Sequence, residues 1–285
     1  AFQADMVTDE QSDDLLLVLE PEGAALAVHV GASQHGLLGT TSRFMVLDCG
    51  GGTVDITVHE VESVRPLTMK SIAAPTGGEW GGDYVNMEFK NFLKELLGPD
   101  LFREQEAPLE FYSIYNEFDK IKLMFDPTMD PPNIQLVDVL ENKKQLLKLA
   151  AEWNENHPEK TIVSTPTQRN GFLTMTKELM LSFFEPLLLS TVNETRKVLK
   201  EVPGIRHIMV VGGFGSSKVL TARIRSEFHN KLGMKVIVPD TNPKPQGAIV
   251  HGAVYYGLHS DIISSRVAAY SYGVAVQEDG VDEVF

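Results

Sequence analysis

The residues best suited to chemistry sit in 44-FMVLDCGGGTVDITVHEV-61: Asp48, Gly50, Gly51, Gly52, Thr53 and Asp55. Apolar runs on either side predict two strands joined by the connection 48–53. A connection without side chains leaves backbone N–H groups free to meet an anion at close range. Thr53 adds a hydroxyl, and Asp48, at the end of the first strand, can hold a hydrated Mg²⁺ or orient a water. Backbone donors, a hydroxyl and a carboxylate are the parts that phosphoryl transfer needs. Three glycines alone would more often be the punctuation of a hairpin. The Asp before them and the Thr-x-Asp after them turn the reading toward a binding loop.

A second candidate is 209-MVVGGFGSS-217, where a strand runs through Gly212 and Gly213 into Phe214, Ser216 and a helix N-terminus. That geometry accepts anions and nucleotides, although an ordinary strand–turn–helix crossover has the same pattern. Glu20 stands before Pro21 at a helix start. Asp119 and Lys122 share a helix face at i, i+3, which taken alone is a solvated ion pair. The eight histidines show no metal-ligand spacing, and Cys49 in its apolar strand is read as packing. Neither a GxSxG element nor a GxxxxGK[ST] loop is found.

The elements that must position these groups follow from periodicity. A small-residue helix follows Glu20-Pro21, and strands at 43–49, 54–58 and 65–75 make a meander. A Gly-rich stretch at 76–82 leads into an amphipathic helix with Val85, Phe89, Phe92, Leu93 and Leu96 on one face. Residues 100–170 are helix-rich and polar, with best helices at 111–125 and 142–157. One long helix, or two broken at Pro186, covers 173–202. Strand, Gly turn and helix follow at 207–228, then a buried strand at 235–239 and a helix at 243–258. A last strand is expected at 269–276. Such a mixture predicts an α/β fold with an inserted helical region at about 80–170.

The 285 residues carry 43% hydrophobic side chains, enough for a substantial core, and a net charge of −14. That charge opposes binding to nucleic acid or to an anionic membrane surface. Nothing approaches the ~20 apolar residues of a membrane span. The acidic start has no signal-peptide pattern, and Cys49 is the only cysteine. These features predict a soluble protein of a reducing compartment, cytoplasmic or also nuclear.

In this order the segments resemble the actin, sugar-kinase and 70-kilodalton heat-shock superfamily, most closely the heat shock 70 kDa protein 12 branch. DCGGGTVD is similar to its second phosphate motif and VVGGFGSS to its adenosine motif. LVLEPEGAALAV is similar to the segment whose Glu helps position water and metal. TGGEWGGDYVNMEF and NPKPQGAIVHGAVYYG are similar to a Gly-Gly-Asp segment of the second lobe and to the helix returning to the first. The resemblance implies an actin-like ATPase (ribonuclease H-like) fold, mostly lobe II with the tail of lobe I. It divides the chain into 1–38 (end of lobe I), 39–78 (lobe IIA with the phosphate loop) and 79–170 (lobe IIB). Then come 171–240 (lobe IIA with the adenosine motif), 241–258 (return helix) and 259–285 (start of a following, substrate-type domain).

The same resemblance implies ATP or ADP with Mg²⁺ as cofactors. Gly50, Gly51, Gly52 and Thr53 would meet the β- and γ-phosphates. Asp48 would act through Mg²⁺ or the attacking water, with Glu20 in that network. Gly212, Gly213, Phe214 and Ser216 would flank the nucleoside and α-phosphate, and Asp119 and Lys122 would reach the adenosine. Three positions depart from the pattern: Leu123 and Ser216 replace arginines, and Gln246 replaces an aspartate. All three fall in the nucleoside pocket. The first phosphate motif and the catalytic lysine of the chaperones are not in this sequence, so hydrolysis is expected of the complete protein and not of this chain alone. A client peptide or co-chaperone would engage regions outside it. The alternatives are a non-catalytic nucleotide sensor of the same fold and a small-molecule kinase of the superfamily.

Overall fold

A computed structural model describes residues 15–33, 38–130, 132–136, 143–163, 172–239, 245–268 and 270–271. Helix α1 (Glu20–Ser33) precedes an antiparallel meander of β1 (Arg43–Cys49), β2 (Val54–Val64) and β3 (Leu67–Ser71), and β4 (Thr76–Gly78) pairs back onto β2. The helices α2 (Gly82–Leu101) and α3 (Pro108–Met124) follow, then β5 (Asn133–Gln135), α4 (Lys143–Asn156), β6 (Ile162–Val163) and β7 (Phe172–Met175). The long α5 (Lys177–Glu201) leads to β8 (Ile205–Val211), α6 (Lys218–Ile224), β9 (Lys235–Ile237), α7 (Ala248–Leu258) and β10 (Ile263–Ser265).

Seven strands form one mixed sheet, in the order β10-β3-β2-β1-β8-β9 with β4 beside β2. β1 runs antiparallel to β2 and parallel to β8. Its place at the centre follows from its sequence: six of its seven residues are buried, so both faces are covered. Met45, Leu47 and Cys49 join Val54, Ile56, Ile208 and Val210 under α2 and α5. Phe44 and Val46 join Met209 and Val211 on the opposite face, under α1 and α7. Period-two alternation thus divides one strand between two cores.

The α1–α7 layer is unusually close. A Cβ added at Gly252 would lie 1.6 Å from the carbonyl oxygen of Gly23, so the helix backbones touch there. Gly252→Ala is expected to force the helices apart and cost about 3 kcal/mol, as overpacking does. Chemical denaturation measures it; a shift below about 0.5 kcal/mol would show that the layer slides freely.

Several sequence expectations are corrected. Residues 172–175 are not the start of a helix: they form β7, which pairs with β5 and β6 in a second, three-stranded sheet. The helical region therefore carries a sheet of its own. Pro186 does not break α5, which is held on both sides of it by buried Phe183, Phe184, Leu187 and Leu188. β9 is not a buried strand but the sheet edge, with Lys235 exposed and its neighbours half-buried. Residues 263–265 form β10, which pairs with β3 at the other edge of the sheet. Most of the strand expected at 269–276 lies outside the described residues.

Candidate functional site

The β1–β2 hairpin sets Asp48 opposite Asp55 and closes with the Gly50 amide donating to the Thr53 carbonyl at 2.9 Å. Behind it the amides of Gly81, Gly82 and Asp83 donate to the carbonyls of Gly52, Gly50 and Gly51 at 3.1, 3.0 and 2.8 Å. This contact requires bare backbone, since a Cβ on Gly81 would meet the Gly51 carbonyl oxygen at 2.3 Å. The loop's acceptors are thereby consumed on the inner side. The amides of Gly51, Gly52 and Thr53, all exposed, have no backbone partner among the described residues. Backbone donors left outward over a polar rim make an anion-binding concavity. Thr53 donates its hydroxyl to Asp55 Oδ2 at 2.8 Å, which fixes the rim.

The second wall comes from β8. Its parallel register places Val211 beside Asp48, and the chain then turns at Gly212 with φ +87°. A Cβ there would lie 2.4 Å from the Cys49 carbonyl oxygen and 2.5 Å from Asp48 Oδ1. Gly213 and Ser216 remain exposed, whereas the Phe214 ring is buried. Phe214 packs on Gly82 and Phe184, so its side chain backs the turn instead of facing a ligand. Ser217 caps α6, accepting from the Leu220 amide.

Lys122 and Asp119 are not a solvated pair. The Lys122 side chain is 4% exposed. Its ammonium donates to the Gly82 carbonyl at 3.1 Å, pairs with Asp119 at 2.7 Å and lies 5.9 Å from the Phe214 ring centroid. Asn86 donates to Asp119 at 3.0 Å and to Asp83 at 3.3 Å. Lys122 thus ties the backing of the phosphate loop to the backing of the second turn. Replacing it by Met is expected to cost about 1–2 kcal/mol, since Asp119 is half-exposed and tolerates the loss better than a buried partner would. Urea unfolding decides it; an unchanged midpoint would mean that the ammonium holds nothing in place.

Asp48 is 6% exposed, and burial, with Glu20 and Asp55 adding repulsion, pushes its carboxyl up to about 6. Glu20, at the start of α1, and Asp55 also line a cleft of about 340 Å³ with Thr57, His59 and Ser71. His59 is buried and accepts or donates through Nε2 to Thr57 Oγ1 at 2.9 Å, and burial lowers its pKa to about 4, so it is neutral. Burial likewise pushes the Cys49 thiol up, away from thiolate chemistry. Among the described residues no three His, Cys, Asp or Glu side chains group as a metal cage. A hydrated cation at Asp48 would relieve the repulsion that Glu20 and Asp55 exert on its carboxylate.

Sequence reasoning missed the buried carboxylate of α1. Glu22, not Glu20, is buried, and Arg266 meets it in a two-pronged pair at 2.5 and 2.9 Å. The partners lie 244 residues apart, and no local pattern signals them. The departures from the nucleoside pattern also meet. Gln246 donates to Ser216 Oγ at 2.8 Å, and Ser216 donates to the Gly213 carbonyl at 3.1 Å. A neutral hydrogen bond thus occupies two positions at which the resemblance places opposite charges. Leu123 is 49% exposed.

No protein-family model matches the chain. It is 25% identical to heat shock 70 kDa protein 12A of Mus musculus, over 97% of this chain and 48% of the relative. It is 28% identical to heat shock 70 kDa protein 12B of Homo sapiens, over 82% and 34%. It is 26% identical to chaperone protein DnaK of Metamycoplasma hominis, over 94% and 41%. The chain spans about half the length, or less, of the curated relatives it matches. These relatives lie on the heat-shock-70-like branch and imply the actin-like ATPase fold, in agreement with the mixed sheet and its covering helices.

Proposed function

We propose that this chain, whose relatives lie on the heat-shock-70-like branch, supplies one half of an ATP–Mg²⁺ clamp in an atypical chaperone-like protein. The observation that carries the proposal is the loop 50–53: the carbonyls of Gly50, Gly51 and Gly52 are bound to residues 81–83, while the exposed amides of Gly51, Gly52 and Thr53 have no backbone partner among the described residues. Gly51, Gly52 and Thr53 bind phosphate oxygens, and Asp48 with Glu20 and Asp55 holds the hydration shell of the cation. Mg²⁺, when bound, neutralises phosphate charge and polarises the bond to be broken. Positioning and charge stabilisation, not covalent chemistry, carry any hydrolysis.

The neutral Ser216–Gln246 pair and Leu123 give the base few charged contacts. Recognition therefore rests on the phosphates more than on adenine. Client peptides or co-chaperones engage regions outside this chain, in the cytoplasm or nucleus, as part of a stress response. Among the described residues no helix is long and apolar enough to cross a membrane.

Calorimetry on the complete protein with Mg²⁺ and ATP, GTP or tripolyphosphate tests this. Comparable affinity for all three, lost in Thr53→Ala and Asp48→Asn, is the expected result. A strong preference for ATP over GTP would overturn the phosphate-centred reading, and no binding of any of the three would overturn the clamp. Single-turnover hydrolysis then separates an ATPase from a nucleotide sensor.

A further inference from the structure

The Lys218 ammonium, exposed at the start of α6, meets Asp126 Oδ2 at 2.8 Å just past the end of α3. The Thr128 amide and hydroxyl both donate to Asp126 Oδ1, at 2.9 and 2.8 Å, and so fix the carboxylate for this pair. Beside it Phe125, Phe184 and Phe214 stack in a buried row, with successive ring centroids 5.9 and 6.1 Å apart. The end of α3 is therefore fastened to the turn 212–217 by an ion pair at the surface and a row of rings within.

On the reading proposed above, a nucleotide base would lie between these two segments. Their polar side chains are engaged with protein groups. Lys122 holds the Gly82 carbonyl and Asp119, and Asp119 also accepts from Asn86. Ser216 is bound to Gln246 and to the Gly213 carbonyl, and Lys218 to Asp126. A base would have to exchange each such bond for one of its own, which gains next to nothing. The amides of Gly51, Gly52 and Thr53, without a backbone partner among the described residues, gain in full from a phosphate.

We propose, resting on that phosphate-clamp reading, that the Lys218–Asp126 pair shuts the base side of the site. The loop then takes its ligand by a Mg²⁺-bound polyphosphate chain, and any nucleoside attached to that chain stays in solvent. Lys218 and Asp126 are specificity-determining residues that act against the base and not on the phosphates.

Calorimetry on the complete protein compares Mg²⁺-ATP with Mg²⁺-tripolyphosphate in the parent, Lys218→Met and Asp126→Ala. The pair lies at the surface, so both variants should fold as the parent does. Losing the cation weakens both ligands and losing the carboxylate strengthens both. In each variant, however, the ratio of ATP to tripolyphosphate affinity should rise about two- to fivefold, the worth of an exposed ion pair. Adding Gln246→Ala to Lys218→Met frees Ser216 Oγ for the nucleoside and should carry the ratio to about tenfold. An unchanged ratio in either single variant, with tripolyphosphate still bound, would overturn the latch and leave the clamp standing. A parent that binds ATP far more tightly than tripolyphosphate would do the same. A parent that binds no tripolyphosphate would overturn both.

Discussion

Gly212→Ala is expected to destabilise the protein by about 4 kcal/mol and to remove phosphate binding with it. Two costs combine. A residue with a Cβ held at φ +87° carries about 1–2 kcal/mol of backbone strain. The new methyl would also sit 2.4 Å from the Cys49 carbonyl oxygen and 2.5 Å from Asp48 Oδ1, and backbone cannot step aside as a flexible side chain can. Relieving that contact must part β8 from β1 at their ends, where the two walls of the site meet. Against a typical total of about 5–15 kcal/mol the loss is large. Denaturant unfolding with a tripolyphosphate titration measures both effects. A variant within about 1 kcal/mol of the parent that still binds phosphate would show that the walls are not in contact.

Asp48→Asn is expected to do the opposite to stability while weakening the binding of Mg²⁺-nucleotide. The Asp48 carboxyl rises from 3.8 to about 6 in the fold, because burial and the nearby Glu20 and Asp55 disfavour its charge. The folded state therefore holds its proton to higher pH than the unfolded chain does. Stability attributable to this group is full below about pH 4, falls as pH rises toward 6, and stays lost above it. Two pK units correspond to about 3 kcal/mol, which Asn, carrying no charge, recovers at pH 7.5. The thermal midpoint should rise by about 5–10 °C at pH 7.5 without Mg²⁺, and the gain should vanish near pH 4. Affinity for Mg²⁺-nucleotide should fall at least tenfold. Equal midpoints for parent and variant at pH 7.5 would mean that Asp48 bears no electrostatic strain.

The parts of the fold visible in the sequence were those with local causes. The hairpin at 48–55 follows from alternation and glycine, and the buried face of α2, with Val85, Phe89, Phe92, Leu93 and Leu96, follows from helical spacing. The small sheet was invisible because its strands are two to four residues long, too short to show a period. β9 is apolar enough to pass for a central strand, and only its pairing on one side makes it an edge. Within the site, the glycines and Asp48 could be recognised by type and order. The burial of Lys122 could not, because a Lys three residues from an Asp reads as a surface pair until Gly82 and Phe214 are packed over it. Nor could the contact of Ser216 with Gln246, which depends on how two distant turns converge.

The parallel pairing of β1 with β8 also fixes a schedule. Asp48 and Gly212 come together only when β8 docks on a strand made long before it; Arg43 at the start of β1 reaches Pro203, 160 positions along, to make the bond that marks this junction. A hairpin closes within microseconds of emerging, whereas a junction of such span waits for everything between its ends. During synthesis the residues of the loop 50–53 therefore emerge long before Gly212, which completes the second wall. Until Gly212 leaves the ribosome the nascent chain can present phosphate-seeking amides but no cleft, so any nucleotide that helps this protein fold can do so only at the last step.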